Sequence, residues 1–188
     1  MIETERLYIR PLPYAQLLKY SLADRSLEQE LNVKALPAEL SPDLKEALET
    51  SILTNVAGAG SDYLYFTLWN IVLKSRREMV GDLCLMGRPD AKGTIEIGYG
   101  IHEAFRGYGY MAEAIAGLIG WAAGRPEIRA ICASTEKDNL ASQKVLTNNG
   151  FLLQSASGTL LNWRLELKSV ASGPIKTSGP DPAVSGEL

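Results

Sequence analysis

The chain has 188 residues, enough for one ordinary core. Nineteen Lys and Arg against twenty-two Asp and Glu give a formal charge of −3, which argues against a nucleic-acid or anionic-membrane binder. Two Cys and a single His make a structural zinc site unexpected.

The opening "MIETERLYIR" is charged where a secretory leader would be apolar. The longest apolar run, residues 114–124, falls well short of the ~20 residues a bilayer needs. A soluble, cytoplasmic protein is expected, with Cys84 and Cys132 as free buried thiols in β-like runs.

"ERLYIRPL" is a short strand ended by Pro11 and Pro13. Pro13 suits the first turn of a helix over about residues 14–31, in which Leu17, Leu18, Leu22 and Leu27 recur near helical spacing. Ser41 caps a second helix with Pro42 at its first position, and Gly58 and Gly60 end it. The period then changes to three strand-like runs over residues 63–73, 79–86 and 93–101, joined as an antiparallel meander. Between the first two, Lys74-Ser75-Arg76-Arg77 reads as a solvated hairpin tip. A glycine-rich segment follows, then a helix with Met111, Ala114, Ile115, Leu118, Ile119 and Ala122 on one side. Gly124 and Pro126 stop it before the buried strand "IRAICAS". "KDNLASQKVLTNNGF" is a helix capped by Asp138 or Asn139 and closed at Asn149-Gly150. Strands near residues 151–154 and 160–167 form a last hairpin. The order β-α-α-β-β-β-α-β-α-β-β describes a mixed α+β domain over residues 1–168. Residues 169–188, rich in Pro and Gly and without an aromatic, are expected to be a disordered tail.

"FRGYGYMAEA" places Arg106, Gly107 and Gly109 directly before a helix. A tight turn is one reading. The other is an anion cradle: a helix start offers unpaired amides and positive potential, and glycines let an anion approach them. "GYGYMA" also fits the dinucleotide pattern G-x-G-x-x-A, but "HEAF" separates it from the preceding strand and no series of parallel βαβ units follows.

Three motifs in order, "IEIGYGI", "RGYGYM" and "DNLASQKVLTNNGF", together with "ETERLYIRPL", resemble the GNAT superfamily of N-acetyltransferases. The branch containing the ribosomal-protein N-terminal acetyltransferases is the most similar. The resemblance covers about residues 3–168 and implies a mostly antiparallel central sheet flanked by helices. It implies acetyl-CoA as co-substrate, no metal, and an amine acceptor that is a small molecule or a peptide N-terminus. It implies a monomer or homodimer. The family's pyrophosphate loop falls on Arg106, Gly109 and Met111, so amides from Arg106 through Gly107, Tyr108, Gly109 and Tyr110 to Met111 are expected to hold the pyrophosphate. Met111 departs from the small residue usual there.

Tyr99 and Ile101 match strand positions that pair with the pantetheine arm, and Asn139 and Ser142 match the family's N-x-x-S positions beside it. Asn139 also reads as a simple helix cap. An attacking amine must lose a proton, and Glu96 matches a carboxylate that many relatives carry beside the acetyl group. By alternation Glu96 faces away from Ile95 and Ile97, so an ordinary exposed position is the other reading. Where many relatives have a Tyr to protonate the thiolate, this chain has Leu146, which leaves Ser142 or water. The early helices and the last hairpin, with Tyr14, Tyr20, Tyr63, Tyr65 and Trp163, are expected to shape the acceptor cleft. An acyl-CoA-binding module without chemistry is the alternative function.

Overall fold

The computed structural model describes residues 1–34 and 40–167. The expected tail, residues 169–188, lies outside them, as does Lys168. Among the described residues, eight strands form one sheet in the order β1-β2-β3-β4-β5-β6-β8-β7. They are β1 (Ile2–Glu3), β2 (Leu7–Pro11), β3 (Leu68–Leu73), β4 (Glu78–Leu85), β5 (Thr94–Ile101), β6 (Ala130–Glu136), β7 (Leu152–Ser157) and β8 (Leu160–Glu166). Every join is antiparallel except β5 to β6. A parallel join needs a crossover, supplied here by α5 (Tyr110–Ala123).

Helices cover both faces. On one, α5 presents Met111, Ala114, Ile115, Leu118 and Ala122, all buried, to Ile9, Ile71, Ile95 and Ile97 of the strands. On the other, α1 (Tyr14–Leu22), α2 (Ser26–Leu31), α3 (Pro42–Ala47) and α4 (Leu53–Gly58) enclose Leu12, Leu17, Leu27, Leu48, Val56, Leu68 and Val72. Strand β3 is buried at all six positions because both of its faces are covered. Each such Leu or Ile contributes about 1.5–3 kcal/mol relative to exposure. No described helix is long and apolar enough to cross a membrane.

The predicted α+β order holds, with four local differences. A short β1 precedes the first expected strand. The helix expected over residues 14–31 is two helices, since Ala23 and Arg25 take positive φ and break it. Pro13 caps α1 from outside, and Leu18 and Leu22 are exposed. Ser41 caps α3 as expected, its hydroxyl accepting from the Leu44 amide, but a π-helical turn (Leu48–Ile52) separates α3 from α4. The expected strand over residues 63–73 begins only at Leu68. Residues Gly60–Tyr65 form a 3₁₀ helix, pinned where Trp69 Nε1 donates to the Leu64 carbonyl and Tyr65 Oη donates to Glu127. The basic cluster is a hairpin tip: Lys74 pairs with Glu3 and Arg76 with Glu78.

Candidate active site

The glycine segment ends in left-handed backbone. Gly107 and Gly109 have φ of 83° and 79°, a region costly for any residue with a Cβ. Gly109 is the residue before α5, and the first helical amide to find a carbonyl is that of Glu113, on Gly109. The amides of Tyr110, Met111 and Ala112 therefore have no backbone acceptor among the described residues. With Arg106 exposed beside them, they form the positive end of a 14-residue helix. Met111 does not narrow this loop, because its side chain is buried in the core.

A clamp from the N-terminal segment holds the loop, and nothing in the local sequence announces it. Arg6 Nε lies 2.6 Å from Glu113 Oε2, Nη1 donates to the Tyr108 carbonyl at 3.0 Å, and the guanidinium stacks 4.7 Å over the Tyr110 ring. Thr4 and the Arg6 amide also donate to Glu113. Burial raises the Glu113 carboxyl, but these bonds outweigh it and hold its pKa below the usual value.

Beside the loop the sheet forks. Strands β5 and β6 are paired only through Thr94, Ile95 and Glu96, opposite Ala130, Ile131 and Cys132. Beyond Glu96 the facing edges of the two strands have no strand partner among the described residues, and Tyr99 and Ile101 lie on the open edge of β5. The helix α6 (Leu140–Asn148) begins on the other arm. Asn139 is its cap, Oδ1 accepting from the Ser142 amide at 3.0 Å. Ser142 Oγ lies 2.8 Å from Tyr99 Oη, a hydrogen bond that links the arms of the fork. Burial pushes the Tyr99 phenol up, against the opposing effect of that bond. Leu146 is wholly buried in the core, and the hydroxyl that lies against Ser142 is that of Tyr99 on β5.

Glu96 is exposed while Ile95 and Ile97 are buried beneath α5, as strand alternation requires. It is the last paired residue before the fork opens. On its face β5 continues with Gly98 and Gly100, the floor of a cavity of about 820 Å³ roofed by the α1–α2 corner and α3. Asp82 and Cys84 line it from β4, Asn70 from β3 and Tyr20 from α1. Burial pushes the Cys84 thiol up, and the Asp82 and Glu96 charges add to it, against a backbone bond at Gly98. Of the five aromatics expected in an acceptor cleft, only Tyr20 lines this cavity. Tyr65 and Trp163 are core residues, Tyr63 packs against the core beneath the α1–α4 helices, and Tyr14 is exposed. His102 lines the rim, its ring accepting from the Ala104 amide.

The comparisons with known proteins agree with this geometry. The profile of the family described as "Acetyltransferase (GNAT) domain" matches residues 6–152. The chain is 34% identical over 165 residues to an uncharacterized N-acetyltransferase, YjdG, of Bacillus subtilis (strain 168), covering 87% of this chain and 96% of that protein. It is 24% identical over 128 residues to the ribosomal-protein-serine acetyltransferase of Escherichia coli (strain K12), covering 68% of this chain and 66% of that one. Among solved structures, the RimL ribosomal L7/L12 alpha-N-protein acetyltransferase in complex with coenzyme A superposes with a TM-score of 0.61. The identity there is 20%, over 87% of this chain and 96% of that one. The glycine loop, the forked sheet and the match across most of the sequence lead to one conclusion: the chain belongs to the GNAT acetyltransferase family.

Proposed function

We propose that this protein moves the acetyl group of acetyl-CoA directly to a primary amine at the mouth of the fork. The observation that carries the reading is the fork itself, open beyond Glu96 and lying next to free helix amides. The amides of Tyr110 and Met111, with Arg106, take the pyrophosphate. An extended pantetheine arm pairs with the bare edge of β5 near Tyr99 and Ile101, as an added strand would. The amine enters from the cavity on the opposite face, attacks the thioester carbonyl and forms the C–N bond as the C–S bond breaks. Glu96 takes the amine's proton, directly or through water. A β5 amide polarises the carbonyl oxygen. The departing sulfur receives a hydrogen bond from Ser142, whose hydroxyl is backed by Tyr99.

No metal is required, because the thioester is already an activated acyl donor and the proton transfers fall to a carboxylate and hydroxyls. Two unpaired thiols, Cys84 and Cys132, fit a reducing cytoplasm. The acceptor is a small amine or a peptide N-terminus, the second in line with the ribosomal-protein acetyltransferases among the relatives.

Acetyl-CoA at about a hundred times its Kd is expected to stabilise the fold by about 2.7 kcal/mol. A thermal titration reads this, and NADH should produce no such shift. Release of CoA thiol with an amine panel then separates turnover from binding. Arg6→Ala is expected to cost about 1 kcal/mol of stability and to raise the Kd for CoA severalfold, since the exposed clamp orients the loop more than it stabilises the fold. Calorimetry with CoA checks this; unchanged affinity would remove the clamp from cofactor binding.

A further inference from the structure

Asp82 and Asn70, on the cavity wall, carry charge and hydrogen-bonding capacity that the described residues leave unanswered. The Asp82 carboxylate accepts from Tyr20 Oη at 2.7 Å and from Asn70 Nδ2 at 3.1 Å, both neutral donors. It belongs to none of the ion pairs among the described residues. Asn70 is 1% exposed, and its orientation is set because its NH₂ must face the carboxylate. Its Oδ1 is therefore turned away from Asp82, and it accepts no hydrogen bond among the described residues. A buried amide oxygen left bare is costly, and Asp82 is a half-buried carboxylate with no cation among the described residues paired to it. Arg25 and Glu28 are the charged side chains that share the cavity wall. Neither forms an ion pair with Asp82, whose carboxyl burial raises against the bonds from Tyr20 and Asn70.

We propose that the Asp82 carboxylate, held on the cavity wall by Tyr20 and Asn70, binds a cationic group of the acceptor, distinct from the amine that is acetylated. The distinction follows from the register. Asp82 is paired with Gly100, four residues along β5 from Glu96, which is about 13 Å at ~3.3 Å per residue. Between them the cavity floor is Gly98 and Gly100, and a Cβ at Gly100 would meet nothing within 4 Å. An extended chain can lie along that floor with one end at the fork and a cation at Asp82. The acceptor class is thus an amine with a second positive charge about 13 Å away or a little less, on a small polyamine or on a basic side chain near a peptide N-terminus. This inference rests on the transfer site being the fork.

The test uses the full chain with acetyl-CoA and matched acceptors: 1,8-diaminooctane against n-octylamine, and the amidated peptide Ser-Ala-Lys-Ala against Ser-Ala-Ala-Ala. In at least one pair the member with the second cation should show kcat/KM higher by about tenfold or more, carried by KM. Asp82→Asn should collapse that preference while the acetyl-CoA thermal shift persists. The arm that shows the preference identifies the source, small amine or peptide. Equal kcat/KM in both pairs overturns the proposal, as does a preference that survives Asp82→Asn. If the variant does not fold, the wild-type pairs decide alone. If no amine is acetylated, transfer at the fork fails, and calorimetry of 1,8-diaminooctane on the CoA-bound protein still reads the cation site. Binding there that Asp82→Asn abolishes supports it, and no binding overturns it.

Discussion

Gly109→Val is expected to weaken CoA binding by at least about tenfold, roughly 1.4 kcal/mol, while leaving a folded protein. The residue has φ of 79°, where a β-branched side chain is strained by about 1–2 kcal/mol or more. Space is not the obstacle: a Cβ would come no closer than 3.6 Å to the Arg6 guanidinium. The strain falls on the loop that presents the amides of Tyr110 and Met111, so the loop relaxes to a conformation that no longer aims them at one point. Gly120→Ala is the control. It lies in the same helix, exposed, with nothing within 4 Å of an added Cβ, and it should raise stability by about 0.5–1 kcal/mol without touching CoA affinity. Calorimetric titration of both variants with CoA decides the matter. Unchanged affinity in Gly109→Val would mean that the loop does not carry the pyrophosphate.

The features that could be read from sequence were those written in a local period. The buried side of α5 repeats at three and four residues, and the Asn139 cap precedes its helix directly, so both stood out before any fold was known. Alternation put Glu96 on the face opposite two buried isoleucines, but only the family resemblance set it apart from an ordinary exposed position. Residues 63–66 misled because "YLYF" is as apolar as a strand. What decides their 3₁₀ turn is the distant Glu127 and the indole of Trp69, neither of which belongs to the local pattern. The helix break at Ala23 and Arg25 was hidden because leucines continue through it at helical spacing. Pairings across the chain left no local trace at all. Arg6 meets Glu113 from 107 residues away, and Tyr20 meets Asp82 from 62. Asn70 faces Asp82 only once the β3–β4 register is set. The polar groups that position the loop and line the cavity are therefore the part of the site that topology alone reveals.

Glu96→Gln keeps the size and hydrogen-bonding reach of the side chain but removes its ability to take a proton. With the base lost, kcat is expected to fall by about 10²–10⁴-fold while the Kd for acetyl-CoA stays as it was. The two effects separate because Glu96 is exposed on the cavity face of β5, whereas the amides proposed to take the pyrophosphate lie beyond the other end of that strand. The substitution should also spare the fold, since Glu96 takes part in none of the ion pairs or side-chain hydrogen bonds found among the described residues. The pH profile needs both proteins. An acceptor amine loses its own proton as pH rises, and that alone lifts kcat/KM in wild type and variant alike. The role of the carboxylate is therefore read from the ratio of the two proteins at one pH, not from the slope of either profile. Normal turnover by Glu96→Gln would assign the proton to water or to bulk base and leave the rest of the transfer scheme standing. Loss of turnover together with loss of CoA binding would instead make Glu96 a residue that holds the fork in shape, because it is the last paired position before β5 and β6 part.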